Sequence, residues 1–88
     1  MRFVFDPTKA AANLKKHGVS FADAEGVLLD PLAITIEDSD AVNERRFIAI
    51  GQSHANELLV VVFTERGDSY RLISARRATR KERIQYET

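Results

Sequence analysis

The sequence predicts an α+β fold: a short N-terminal strand, two N-terminal helices, a four-stranded antiparallel meander and a C-terminal helix. Three observations carry this reading. Helix-capping residues cluster between positions 6 and 30, the hydrophobic period changes from helical to alternating after Pro31, and a complete T-x-x-E capping box begins at Thr79. With 88 residues the chain is expected to form one domain spanning 1–88, because cores divide only beyond about 250 residues.

Each element has a local cause. Arg2-Phe3-Val4-Phe5 is a short β-type run, and Asp6-Pro7 then supplies an N-cap acid ahead of a proline at the first helical position. The first helix is expected over about residues 7–17, with Ala10, Leu14 and His17 on one stripe, Lys9, Asn13 and Lys16 on another, and Gly18 as its stop. Ser20 followed by Asp23 resembles a capping box with a shorter acid, and Phe21, Ala24 and Leu28 share a face until Asp30-Pro31, so a second helix is expected over about 20–29. Ala33–Glu37, Arg46–Gln52, Glu57–Thr64 and Tyr70–Ser74 read as strands, and their short, turn-rich separators favour hairpins over crossovers. The unbroken apolar run Leu58–Phe63 marks the most buried strand, with the two N-terminal helices covering one of its faces. The capping box at Thr79 and Glu82 opens a last helix to about Tyr86.

Composition excludes several function classes. There is no Cys, which removes disulfides, thiolate zinc sites and cysteine nucleophiles together and fits a reducing compartment. The longest apolar stretch is six residues, far short of the ~20 that span a bilayer, and the N-terminus carries no export signal, so a soluble, cytoplasmic protein without membrane association is expected. No Gly-rich phosphate loop or Ser nucleophile elbow is present, and His17 and His54 are the only histidines, so neither a metal nor a nucleotide cofactor is expected.

The 13 bases and 13 acids cancel, but they are segregated. Residues 1–17 carry +3, residues 18–44 carry −7 with no base at all, residues 45–65 balance, and residues 66–88 carry +4. A fold that joins the two basic ends makes a face suited to phosphates, whereas one that interleaves them with the acidic block makes a neutral solvated surface.

Four groups of residues bear on chemistry. Arg71, Arg76, Arg77, Arg80 and Arg83 surround a strand end and the start of the last helix, with Arg71 and Ile73 expected on one strand face, Leu72 and Ser74 on the other, and Arg76-Arg77 at the junction into the helix. Guanidinium groups there either neutralise phosphate or form a solvated face of i,i+4 pairs. Lys15-Lys16-His17-Gly18 closes the first helix, where the helix dipole alone explains the cations and His17 is either a packed core histidine or a group that titrates near neutrality. Glu44 and Arg46 are expected on one strand face with Ile48 and Ile50, as a structural ion pair or an acid/base pair. Tyr86 stands ready to stack on a base or to cap the core. A helix-turn-helix over the first two helices is a weaker alternative, because the first helix is more basic than the second, where a recognition helix belongs.

Taken in order, Phe3-Val4-Phe5-Asp6-Pro7-Thr8-Lys9, Asn13, Lys16-His17-Gly18-Val19-Ser20-Phe21, Ala24, Asp30-Pro31, Glu44-Arg45-Arg46, Ile50-Gly51 and Arg71-Leu72-Ile73-Ser74-Ala75-Arg76-Arg77-Ala78-Thr79, followed by Glu82-Arg83 and Tyr86, resemble the BrnT toxin family nearly end to end. Phe5 stands where the family often has Trp. The resemblance implies the toxin of a type II toxin–antitoxin pair with a RelE-like fold, a metal-independent endoribonuclease that inhibits translation. It also implies a cognate BrnA-type antitoxin, an RNA substrate, and a toxin dimer within a toxin–antitoxin heterotetramer. The chemistry so implied is attack of a ribose 2′-hydroxyl on the adjacent phosphate, with Arg71 and Arg76 on the phosphate, Glu44 or His17 moving protons, Tyr86 stacking or donating a proton, and Lys16, Arg46, Arg77 and Arg80 binding RNA. On this reading the antitoxin docks over the basic site. Two rival classes remain: a non-catalytic module that grips a protein such as gyrase through the same basic surface, and a DNA-binding regulator.

Overall fold

The computed structural model describes residues 2–42 and 44–88. Its elements run β1 (Arg2–Val4), α1 (Pro7–His17), α2 (Phe21–Leu29), β2 (Ile34–Glu37), β3 (Arg46–Gln52), β4 (Leu58–Arg66), β5 (Ser69–Arg77) and α3 (Arg80–Glu87). The helices start and stop where their caps dictate. The Asp6 carboxylate accepts the Thr8 N–H, Gly18 closes α1 in the left-handed conformation at φ +68°, Ser20 accepts the Asp23 N–H, and Thr79 and Glu82 complete the reciprocal box.

The meander forms as expected, with β2–β3, β3–β4 and β4–β5 all antiparallel. β1 adds a fifth strand, parallel to β5, giving the order β1-β5-β4-β3-β2 with the most apolar strand, β4, at the centre. One sheet face packs Ala49, Leu59, Val61, Phe63, Leu72 and Ala75 against Val19 and the Phe21, Ala24 and Val27 side of α2. Each fully buried Leu, Val or Phe of this layer contributes about 1.5–3 kcal/mol relative to exposure. Gly26 is required there: a Cβ would stand 2.4 Å from the His54 backbone nitrogen, so any other residue pushes α2 off the β3–β4 turn. On the opposite face Tyr86 of α3 packs on Ile50, Leu58 and Val60, together with Ala78 from the segment that leads into the helix.

Three local readings are corrected. β5 continues through Arg76 and Arg77, which are strand residues rather than a junction. Alternation breaks at a β-bulge, because Val62 pairs with Ser74 and Phe63 with Leu72, leaving Ile73 without a partner in β4. Leu72 and Ala75 therefore enter the core, while Arg71, Ser74 and Arg76 share the other face. In α1 the buried residue is Asn13, whereas Leu14 is exposed and Ala10 and His17 only half-buried.

Candidate functional site

The face opposite the two N-terminal helices has an apolar half and a basic end. Ile34, Ile36, Ile48 and Ile50 line a hollow of about 410 Å³ beside Gln85 and Thr88, without an ionisable side chain. The next row of the sheet changes character. Strand register places Arg46 of β3, Thr64 of β4 and Arg71 of β5 side by side, with Val4 of β1 beyond Arg71. Directly paired residues present their side chains on the same face, so the side chains of Arg46 and Arg71 leave the sheet on either side of Thr64.

Arg71 is half-buried and, with Arg66, Val4, Phe5 and Asp6, lines a groove of about 270 Å³. Glu44 precedes β3 instead of belonging to it, and its carboxylate accepts from Arg66 Nε at 2.9 Å, with Arg66 Nη2 at 2.7 Å. The pair foreseen between Glu44 and Arg46 is thus replaced by Glu44–Arg66. Arg46 does share the Ile48 and Ile50 face, and among the described residues neither Arg46 nor Arg71 enters an ion pair. Glu44, Arg46 and Arg71 therefore gather at one end of the sheet, joined by Arg66 and Thr64, which sequence reasoning did not single out. Arg66 was masked by its place in a turn-rich segment, and Thr64 by the apolar run it terminates.

The other foreseen residues lie elsewhere. Lys16 and His17 line a shallow groove with Lys9, Asn13, Ile73 and Ser74, where α1 runs along the outer edge of β5. Arg77 is held on the other side of the strand, donating from Nε to Glu57 at 2.8 Å and from Nη1 to the His17 carbonyl at 2.9 Å. Arg76, five residues along β5 from Arg71 and about 15 Å away at Cα, is bound bidentately by Glu82, both bonds 2.8 Å. That guanidinium holds the Glu82 carboxyl down at about 2, helped by the Thr79 N–H and opposed by partial burial, and Glu82 in turn raises Arg76. Arg80 is exposed at the start of α3.

Tyr86 caps the second core cluster and donates its hydroxyl to Asp30 Oδ2 at 2.7 Å. Partial burial pushes the Asp30 carboxyl up, but donation from the Gln52 N–H, the Tyr86 hydroxyl and the Leu32 N–H outweighs it and leaves the group below its ordinary value. The same bond raises Tyr86, which stays protonated. Among the described residues no three His, Asp or Glu side chains are placed to hold a metal ion, and no helix is long and apolar enough to cross a membrane.

Comparison with known proteins points one way. The family model described as the ribonuclease toxin, BrnT, of type II toxin–antitoxin systems matches residues 5–82. The crystal structure of the Brucella abortus ribonuclease toxin, BrnT, superposes with a TM-score of 0.70 at 29% identity, covering 91% of this chain and 99% of that one. No curated protein sequence matches.

Proposed function

Because this chain belongs to the BrnT family of ribonuclease toxins of type II toxin–antitoxin systems, we propose that it cleaves RNA without a metal ion at the Glu44–Arg46–Arg71 end of its sheet. The observation that carries this reading is that two arginines, which enter no ion pair among the described residues, share one row of one sheet face next to a carboxylate that Arg66 holds in place. The ribose 2′-oxygen attacks the adjacent phosphorus and loses its proton to Glu44. The P–O5′ bond breaks, and the leaving oxygen takes a proton from solvent, to which Glu44 returns the one it accepted. A 2′,3′-cyclic phosphate and a 5′-hydroxyl end result, with no water consumed in this step.

Negative charge grows on the non-bridging oxygens as the pentacovalent state forms, and Arg46 and Arg71 neutralise it without reorganising solvent. Lys9, Lys16 and His17 line the next groove along β5 and bind neighbouring phosphates of the same strand. Arg76 and Tyr86, tied to Glu82 and Asp30, hold α3 on the sheet. The cognate antitoxin that the family implies is of the BrnA type on this reading, and it silences the toxin by covering the Arg71 groove.

The test is incubation of the full chain, freed of antitoxin, with a defined RNA in EDTA, and analysis of the product ends. Cyclic phosphate and 5′-hydroxyl termini are expected, with no cleavage where the attacking 2′-oxygen is methylated. Products bearing 5′-phosphates, or activity abolished by EDTA, overturn the mechanism.

A further inference from the structure

We infer that the Thr64 hydroxyl completes the phosphate seat between Arg46 and Arg71, donating to an oxygen of the RNA phosphodiester that the two arginines embrace. The ligand class rests on the ribonuclease reading; the site rests on three observations of its own.

The first is register: Arg46, Thr64 and Arg71 are direct partners on adjacent strands, so their side chains form one row on one face. The second is burial. Thr64 is only 1% exposed, and its Oγ1 finds no hydrogen-bond partner among the described residues, the one buried side-chain polar atom there of which this is true. A hydroxyl kept from water without a partner is a cost to folding that an isosteric valine would not carry. The third is position. Along β4 the side chains on this face run Leu58, Val60, Val62, Thr64, so the hydroxyl sits where the apolar half gives way to the basic end.

The hydroxyl is closed off in the free protein, so an oxyanion drawn in between the two arginines reaches it as the side chains around it shift, and it then supplies one further donor. No proton changes hands: Thr64 binds, and its oxygen is not a nucleophile. The arrangement accounts for a cost to stability as a gain in binding, the usual trade at a functional site.

Thr64→Val and Thr64→Ser, prepared as full chains, separate the possibilities. Three readouts are needed: thermal unfolding, binding of a fully 2′-O-methylated oligoribonucleotide by fluorescence anisotropy, and cleavage of the matching RNA. For Thr64→Val we expect a Tm at or above that of the wild type, about tenfold weaker oligonucleotide binding and at least tenfold slower cleavage. Thr64→Ser, which restores the hydroxyl, is expected to bind within about threefold of the wild type.

Wild-type binding and cleavage in Thr64→Val overturn the inference. A fall in its Tm does so too, since the hydroxyl would then have a partner inside the protein. If the wild type binds the methylated strand, Thr64→Val weakens that binding, and neither cuts RNA, the phosphate seat stands and the ribonuclease reading falls.

Discussion

The side chain of Asn13 stands in for a missing strand beside Ala75. Its Nδ2 donates to the Ala75 carbonyl at 2.8 Å and to the Val19 carbonyl at 3.1 Å, while the Ala75 N–H donates to Oδ1 at 3.1 Å. β1 pairs with β5 only at residues 69–71, so further along the edge the backbone of Ala75, itself fully buried, would lack partners. The amide is the one common side chain that both donates and accepts in this geometry, and it fastens α1 to the sheet.

Asn13→Ala strands three buried backbone groups. A loss of about 2–4 kcal/mol is expected, a fall of more than about 8 °C in Tm for a domain of this size. Thermal unfolding measures it. Asn13→Asp is expected to fail as well, because it keeps the acceptor but sets a carboxylate against two carbonyls.

The Arg76–Glu82 pair predicts acid sensitivity. The folded-state carboxyl lies at about 2 against an ordinary 4.5, so protons bind the unfolded chain more readily. The contribution is complete above about pH 4.5 and drains away as the pH falls towards 2. With the Arg76 side chain 42% exposed, solvent screening limits it to about 1–2 kcal/mol. Urea midpoints at pH 7, 4 and 2.5 are expected to fall for the wild type across that window, and Glu82→Gln to start lower and show less of the decline.

Tyr86→Phe separates anchoring from chemistry. The phenylalanine keeps the packing on Ile50, Leu58 and Val60 but loses the bond to Asp30, costing about 1–2 kcal/mol. RNA cleavage is expected within about twofold of the wild type. A tenfold loss of rate at unchanged stability would return Tyr86 to the chemistry.

What the sequence disclosed was local. Asp6-Pro7, Gly18, Ser20, Asp30-Pro31 and the Thr79–Glu82 box each act within a few residues of chain, and every helix end they mark is where the structure has it. What it concealed was non-local or ran against composition. The pairing of β1 with β5 joins residues more than 60 positions apart. Asn13 is polar and so reads as surface, and the bulge at Ile73 reverses the alternation that placed Ser74 beside Leu72. The arginines were visible as a basic block, but only their partners distinguish them. Arg76 and Arg77 are engaged by acids, whereas Arg46 and Arg71 enter no ion pair among the described residues.

That distinction between arginines is the centre of the account, and one comparison tests it. Single-turnover cleavage of a defined RNA in EDTA is measured for the wild type, Arg71→Ala and Arg76→Ala, each first shown to be folded at the assay temperature. Loss of transition-state charge neutralisation by one buried-edge guanidinium costs about 100-fold or more. The account predicts that loss for Arg71→Ala and a rate within about threefold of the wild type for Arg76→Ala. A fully active Arg71→Ala alongside a folded but inactive Arg76→Ala would contradict it, and would move the site to the α3 end of the sheet.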